Sequence, residues 1–250
     1  MNVLADDVEV FDHVAYLFEG KGPFLEYLQI VTVGAEATTF ALHQSSCRAI
    51  SDTSLDDPRM TQVRAAVEVI LKSNEPRSAL AHDRHWNLVM ANAAFVRFLT
   101  MALGKEPAGL VPLTVSTPPR LNILRMLFDP NGVRKVILNW EEIAKSLLNE
   151  AYRRLAWARD DTLRNLITEI LAYPGVPARW REPDLEAPHA LILPMEMTVD
   201  GKIARMFSTV TTVATPHDVT LQELHVEVFY PADAETESVL QAYEQRAKLK

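Results

Sequence analysis

The sequence predicts an α+β fold: an antiparallel sheet with helices packed on one face, preceded by a small, mainly helical or irregular N-terminal segment. Three observations predict it. The patterned stretches run in the order strand pair, helices, three strands, which suits helices gathered on an antiparallel sheet. The apolar period changes from 3.6 to 2 in the C-terminal third. Asp200-Gly201 then separates two alternating stretches, a strong short-range hairpin signal.

Residues 1–54 form an atypical N-terminal segment. Val10, Val14, Leu17 and Phe18 are spaced for one face of a short helix that Gly20 and Gly22 would end. Ser, Asp, Thr and Pro cluster without period between Ser51 and Pro58, so a boundary is expected there and residues 55–250 form one domain. Beyond it Met60, Val63, Val67, Ile70 and Leu71 make a helical stripe. Trp86, Leu88 and Met90 then share one face of a strand, with Asn87 and Val89 on the other. Asn92 is placed to cap a helix through Leu103 that Gly104 stops. Glu106 to Pro119, with its four prolines, reads as a loop.

Leu121 to Phe128 is apolar apart from Asn122 and Arg125. Asn139 and Glu142 have capping-box spacing ahead of a long amphipathic helix. A further helix follows Asp160 or Asp161, and Pro174 and Pro177 prevent its continuation. Leu191, Leu193, Met195, Met197 and Val199 alternate up to the hairpin. Pairing across it sets Ala204, Met206, Ser208 and Val210 opposite Met197, Met195, Leu193 and Leu191. In the last strand Leu224, Val226 and Val228 share one face, and His225 and Glu227 the other.

Composition narrows the function. Of 250 residues, 48% are hydrophobic and 23% charged, an ordinary globular balance. No uncharged apolar run approaches the roughly 18 residues of a membrane span, and Asp6, Asp7 and Glu9 stand where an export signal would be basic. Cys47 is the lone cysteine, which fits a reducing cytoplasm. The net charge of −8 resides in residues 1–58, where ten acidic side chains meet only Lys21 and Arg48. Such a segment is ill suited to neutralising DNA phosphates.

Enzyme chemistry finds little support. His82 and His85 are three apart, which aims them at opposite faces of a strand. His225 and Glu227 share a face without a third ligand, and read as a solvated sheet surface. There is no glycine-rich phosphate loop, G-x-S-x-G or H-E-x-x-H. Neither cofactor nor metal is expected.

Arg125 lies in an apolar helix that ends at Phe128, where an unpaired buried charge would be costly. It either receives a ligand carboxylate or pairs within the fold, with Asp129 as a candidate. Met195, Met197, Met206, Ser208, Val226 and Val228 either line a cavity, for which adaptable methionines are suited, or form an ordinary core. Trp86 is a pocket wall or core, Asn92 a ligand contact or a helix cap, and Trp140 a packing anchor.

Several separated blocks carry a resemblance. DRHWNLVMANAAF (Asp83–Phe95), NILRMLFDP (Asn122–Pro130) and NWEEIA (Asn139–Ala144) resemble the MmyB-like regulator ligand-binding domain. So do YPGVPARW (Tyr173–Trp180), RMFSTVTTVATPHDVTLQEL (Arg205–Leu224) and FYPAD (Phe229–Asp233). The resemblance covers about three quarters of the chain, in order. It implies a PAS-like sensor half of an XRE-type regulator, holding a small apolar or fatty-acid-like effector. It also implies a helix-turn-helix ahead of the sensor, with ISDTSLDDP (Ile50–Pro58) as linker. Upstream of Ile50 no such pattern is found, so that half is lost or replaced, or the start is misassigned, and DNA binding by this chain is not expected. The alternative to a ligand sensor is a module that forms a homodimer, or docks on a partner regulator, without a ligand.

Overall fold

The computed structural model describes residues 29–32, 60–116, 118–157, 160–182, 194–214 and 224–247. The expected helix near Val10–Phe18, and Leu191 and Leu193, lie outside these residues. Among the described residues six strands form one antiparallel sheet: β1 (Gln29–Thr32), β2 (Ala79–His82), β3 (Leu88–Ala91), β4 (Met195–Val199), β5 (Lys202–Ala214) and β6 (Leu224–Pro231). Its order is β1-β5-β6-β2-β3, and β4 lies beside β5 at the same edge as β1. The helices are α1 (Thr61–Ser73), α2 (Ala93–Leu103), α3 (Ile123–Phe128), α4 (Trp140–Trp157), α5 (Asp161–Ile170) and α6 (Ala234–Ala247). The expected α+β class is the class observed.

The hairpin follows from its turn. Asp200 and Gly201 have φ of 49° and 75°, the positive values that a tight two-residue hairpin of right-handed twist requires. The register pairs Met195 with Met206 and Met197 with Ala204, as expected.

Helices α2 to α5 occupy one face of the sheet, here called the inner face. Leu80, Leu88 and Ala91 pack there against Phe95 and Leu99 of α2. Trp86 belongs to one buried cluster with Leu124, Leu127 and Phe128 of α3, Leu148 of α4, and Leu166 and Ile170 of α5. The opposite, outer face carries α1, whose Val67 and Leu71 are fully buried against Ala79, Ala81, Val226 and Val228. Burial of such an aliphatic side chain contributes roughly 1.5–3 kcal/mol. Helix α1 thus adds a layer that the expected one-face arrangement lacks.

A bulge in β3 changes one strand assignment. His82 pairs with Leu88 but Ala81 pairs with Met90, leaving Val89 as the extra residue. An extra residue reverses the alternation, so Leu88 faces inward with His82 while Met90 packs outward beside Val89. Trp86, Leu88 and Met90 therefore do not share a face. The proline-rich stretch after α2 is a loop, and it shields the free edge of β3: the Leu113 and Ser116 amides donate to the Ala91 and Val89 carbonyls.

The helix ends largely follow their sequence signals. Asn92 accepts from the Phe95 amide, and Gly104, at φ 72°, closes α2 on the Thr100 carbonyl. Asn122 and Asp160 cap α3 and α5 in the same way. Asn139 differs from expectation. Its Oδ1 accepts from the Glu196 amide at 2.9 Å and its Nδ2 donates to the Pro194 carbonyl, so it ties the start of α4 to β4. A strand amide outcompetes the helix's own donors for this oxygen.

Candidate functional site

The inner face of β5 and β6 carries the chemistry that the packed core does not absorb. Along β5 it presents Met206, Ser208, Val210 and Thr212. These lie beside Pro231, Phe229, Glu227 and His225 of β6. Beyond β6 come Leu80 and His82 of β2, opposite Glu227 and His225. Four successive inward positions on a strand span about 20 Å at 3.4 Å per residue. Met206 is buried, Val210, Glu227 and Phe229 are half-buried, and Ser208 is exposed, so the helical layer covers this stripe unevenly.

At one end Met195, Met197, Met206, Phe95, Phe98 and Phe229 surround a crevice with about 10 Å³ of free space. That is room for roughly one water. Methionine side chains repack easily around irregular shapes, so this end can widen without backbone movement.

The other end is polar. The His82 and His225 rings lie 5.1 Å apart, tilted by 31°. His82 also stacks on Trp86, and the Arg154 guanidinium sits 4.4 Å from the Trp86 ring centre. The Asp83 carbonyl, which can only accept, takes a 2.8 Å bond from His82 Nδ1. That bond fixes the proton on Nδ1 and leaves Nε2 with its lone pair. His225 Nδ1 is 3.2 Å from the Thr212 hydroxyl.

Burial holds the His82 pKa down to about 4, against the pull of the Asp83 carbonyl and with help from Arg154. Burial, then His82 and Arg154, hold His225 at about 2. Both imidazoles are neutral at pH 7. Burial raises the Glu227 carboxyl pKa, with the nearby Ser208 opposing that shift.

Trp86 reaches this cluster through an uncommon backbone. Its φ is 61°, a conformation that bulky residues rarely adopt. The Asp83 carboxylate accepts from the His85 and Asn87 amides, the Asp83 carbonyl accepts from the Trp86 amide, and Asn122 Nδ2 donates to the His85 carbonyl. This turn is also anchored to α5, because His85 Nε2 lies 2.7 Å from the Asp160 carboxylate.

The residues nominated from sequence do not all meet. Met195, Met197, Met206 and Ser208 share the inner face, with Trp86 beneath the helices near its polar end. Val226 and Val228 lie on the outer face under α1, because they pair with Thr211 and Thr209, not with Ser208. Asn92 is buried at the junction of α1, β2 and α2. Phe128 is fully buried in edge-to-face contact with Trp140 and Trp180. Arg125 makes two 2.8 Å bonds to Glu169 of α5, not to Asp129, with its side chain 45% exposed. Arg125→Ala is expected to cost about 1 kcal/mol or less by urea denaturation, the usual worth of an exposed ion pair.

Sequence reasoning missed His82, His225, Glu227 and Arg154. His225 and Glu227 were expected on a solvated surface, yet His225 is 8% exposed and His82 3%. In the structure β2 is buried at every position from Ala79 to His82, which no sequence pattern marks. Such a strand is covered on both sides, so its polar inward residue faces a partner inside the fold.

An open antiparallel sheet with neutral polar groups at one end of a half-covered face, and adaptable apolar ones at the other, has the layout of a small-molecule-binding domain. The chain belongs to the MmyB-like transcription regulator ligand binding domain family, whose model matches residues 63–242. It is thus a ligand-binding domain of a transcription regulator, in a family of regulators and not of enzymes. No curated protein matches the sequence. No helix among the described residues is long and apolar enough to cross a membrane.

Proposed function

We propose that residues 55–250 form the sensor of a cytoplasmic regulator, and that its effector is a small apolar or acyl molecule bound against the inner face of β5 and β6. The observation that carries this reading is the half-covered stripe from the methionine crevice through Phe229 and Val210. An apolar chain laid there removes Phe229, Val210 and Met195 from water and gains about 25 cal/mol per Å² buried. The crevice alone holds one water, so binding requires the methionines and the helical layer to shift. That coupling is the signal: the ligand favours one packing of helices on sheet, and the population moves toward it.

The test is native mass spectrometry of the purified chain, followed by solvent extraction and identification of what is released. A stoichiometric apolar or acyl molecule is the expected result. Val210→Trp fills the middle of the stripe at a half-buried position, and is expected to abolish that adduct while the protein stays folded. A clean mass that no acyl compound changes would end the sensor reading and leave a homodimer or partner-regulator module.

A further inference from the structure

The methionine crevice admits a chain only if Met197 and Met206 give way, and α6 is packed on the same methionines. Val239 of α6 belongs to one buried cluster with Met197, Val199, Ala204 and Met206, and Leu240 and Tyr243 pack against that cluster. The apolar hold is small. Among the described side chains of α6, Thr236, Val239 and Glu244 are buried and the others face water wholly or in part. Few buried apolar contacts mark an element that opens locally at less cost than the whole fold.

Polar ties complete the docking. Near the start of α6 the Thr236 hydroxyl accepts from the Arg205 amide of β5. Toward its other end, Arg246 Nη2 lies 2.7 Å from the Asp200 carboxylate at the hairpin tip. The Tyr243 hydroxyl donates to the Arg97 carbonyl of α2 at 2.9 Å, and the Arg97 guanidinium pairs with the Glu244 carboxylate. A largely buried ion pair resists parting when one charge is left stranded. Here neither is. Arg97 Nη2 also lies 3.4 Å from Glu75, so it keeps a carboxylate when Glu244 leaves, and Glu244 travels with its helix into water.

We propose that α6 is a gate over the methionine crevice, hinged at the exposed Ala232 and Asp233 that follow β6 and latched at its far end by Arg97. Lifting that end gives the methionines the space they need, so the apolar chain of the effector enters there. The chain then favours the lifted packing, and the position of α6 reports whether the crevice is filled. This inference rests on the inner-face reading above and names what regulates access to that site.

Two full-chain proteins test it at pH 8, with dodecanoate as the probe. Glu244→Gln weakens the latch and leaves the apolar side of α6 intact. Its amides from Val239 to Arg246 are expected to exchange with deuterium about tenfold faster, the effect of losing a hydrogen bond to a charged group. Dodecanoate association in stopped flow is expected to quicken with them, while the α4 amides keep their rates. The second protein carries Asp200→Cys, Arg246→Cys and Cys47→Ser, and a short bismaleimide joins the two thiols where the ion pair stood. Joining is expected to abolish the dodecanoate uptake that the same protein shows beforehand, and this arm carries the test should Glu244→Gln fail to fold. Unchanged uptake after joining overturns the gate and leaves the inner-face site standing. Faster α6 exchange without faster association overturns it too, and α6 exchange that stays constant in Glu244→Gln overturns Arg97 as the latch. If dodecanoate binds neither the unaltered chain nor the unjoined protein, the inner-face reading fails and the gate fails with it.

Discussion

Asn92→Ala is expected to destabilise the domain by about 4 kcal/mol, far beyond the roughly 1 kcal/mol of a lost helix cap. The side chain is fully buried. Its Oδ1 accepts from the Phe95 amide at the start of α2 and from the Ala79 amide at the start of β2, both at 3.0 Å. Its Nδ2 donates to the Arg77 carbonyl at 2.7 Å and to the Leu71 carbonyl, at the end of α1, at 3.3 Å. One amide therefore joins α1, β2 and α2. Alanine leaves the Phe95 and Ala79 amides and the Arg77 carbonyl without this partner, whereas the Leu71 carbonyl keeps the Asn74 amide, and each buried unsatisfied group costs about 1–3 kcal/mol, less where water enters the space vacated. Asn92→Asp separates the network from the cap. Aspartate keeps both acceptances but cannot donate, and it turns a carboxylate toward two carbonyls. Urea denaturation of the two variants decides the matter. Comparable losses support the network, whereas a stable aspartate variant with a 1 kcal/mol loss in alanine would reduce Asn92 to a cap.

The same residue shows what was legible in the sequence. Its position ahead of an apolar stripe marks the cap, because capping is a local matter of one oxygen and one amide three residues on. The other three partners lie 13 to 21 residues away, and no local pattern encodes them. The hairpin was legible for a similar reason, since Asp200-Gly201 dictates its own turn and the turn dictates the register. The inner face was not. Alternation in β6 divides Leu224, Val226 and Val228 from His225 and Glu227, but it cannot say which set meets α1 and which meets the helical layer. Val226 and Val228 read from sequence as either cavity lining or ordinary core, and with one covered face expected the alternation could not choose between them. A second apolar layer, α1, satisfies that set from the other side, and the polar set is the one left facing inward. The bulge at Val89 was illegible too, because the extra residue shows only when β3 is aligned with β2.

Acid should weaken the fold well before its carboxylates titrate, and the histidine pair is the reason. Both rings are buried and neutral, at about 4 for His82 and about 2 for His225, against about 6.5 in an unfolded chain. The unfolded state therefore binds more protons below pH 6.5. Stability is full above that value and declines as the pH falls, continuing to about 4 for His82 and lower for His225. Each histidine sets a limiting slope of about 1.4 kcal/mol per pH unit, so the pair removes about 4 kcal/mol between pH 7.5 and 5. Glu227 works in the opposite sense, because a carboxyl raised by burial is relieved by protonation, but it is one group against two. Asp160 and Glu169 add to the acid loss only lower still, since burial is outweighed at Asp160 by the Leu163 amide and His85, and Arg125 holds Glu169 down. Urea denaturation at pH 7.5 and pH 5 measures the difference. His225→Phe, which keeps a ring of similar size facing His82, is expected to remove about half of it. A free energy of unfolding that stays constant across that interval would mean that the two rings are not sealed between sheet and helices.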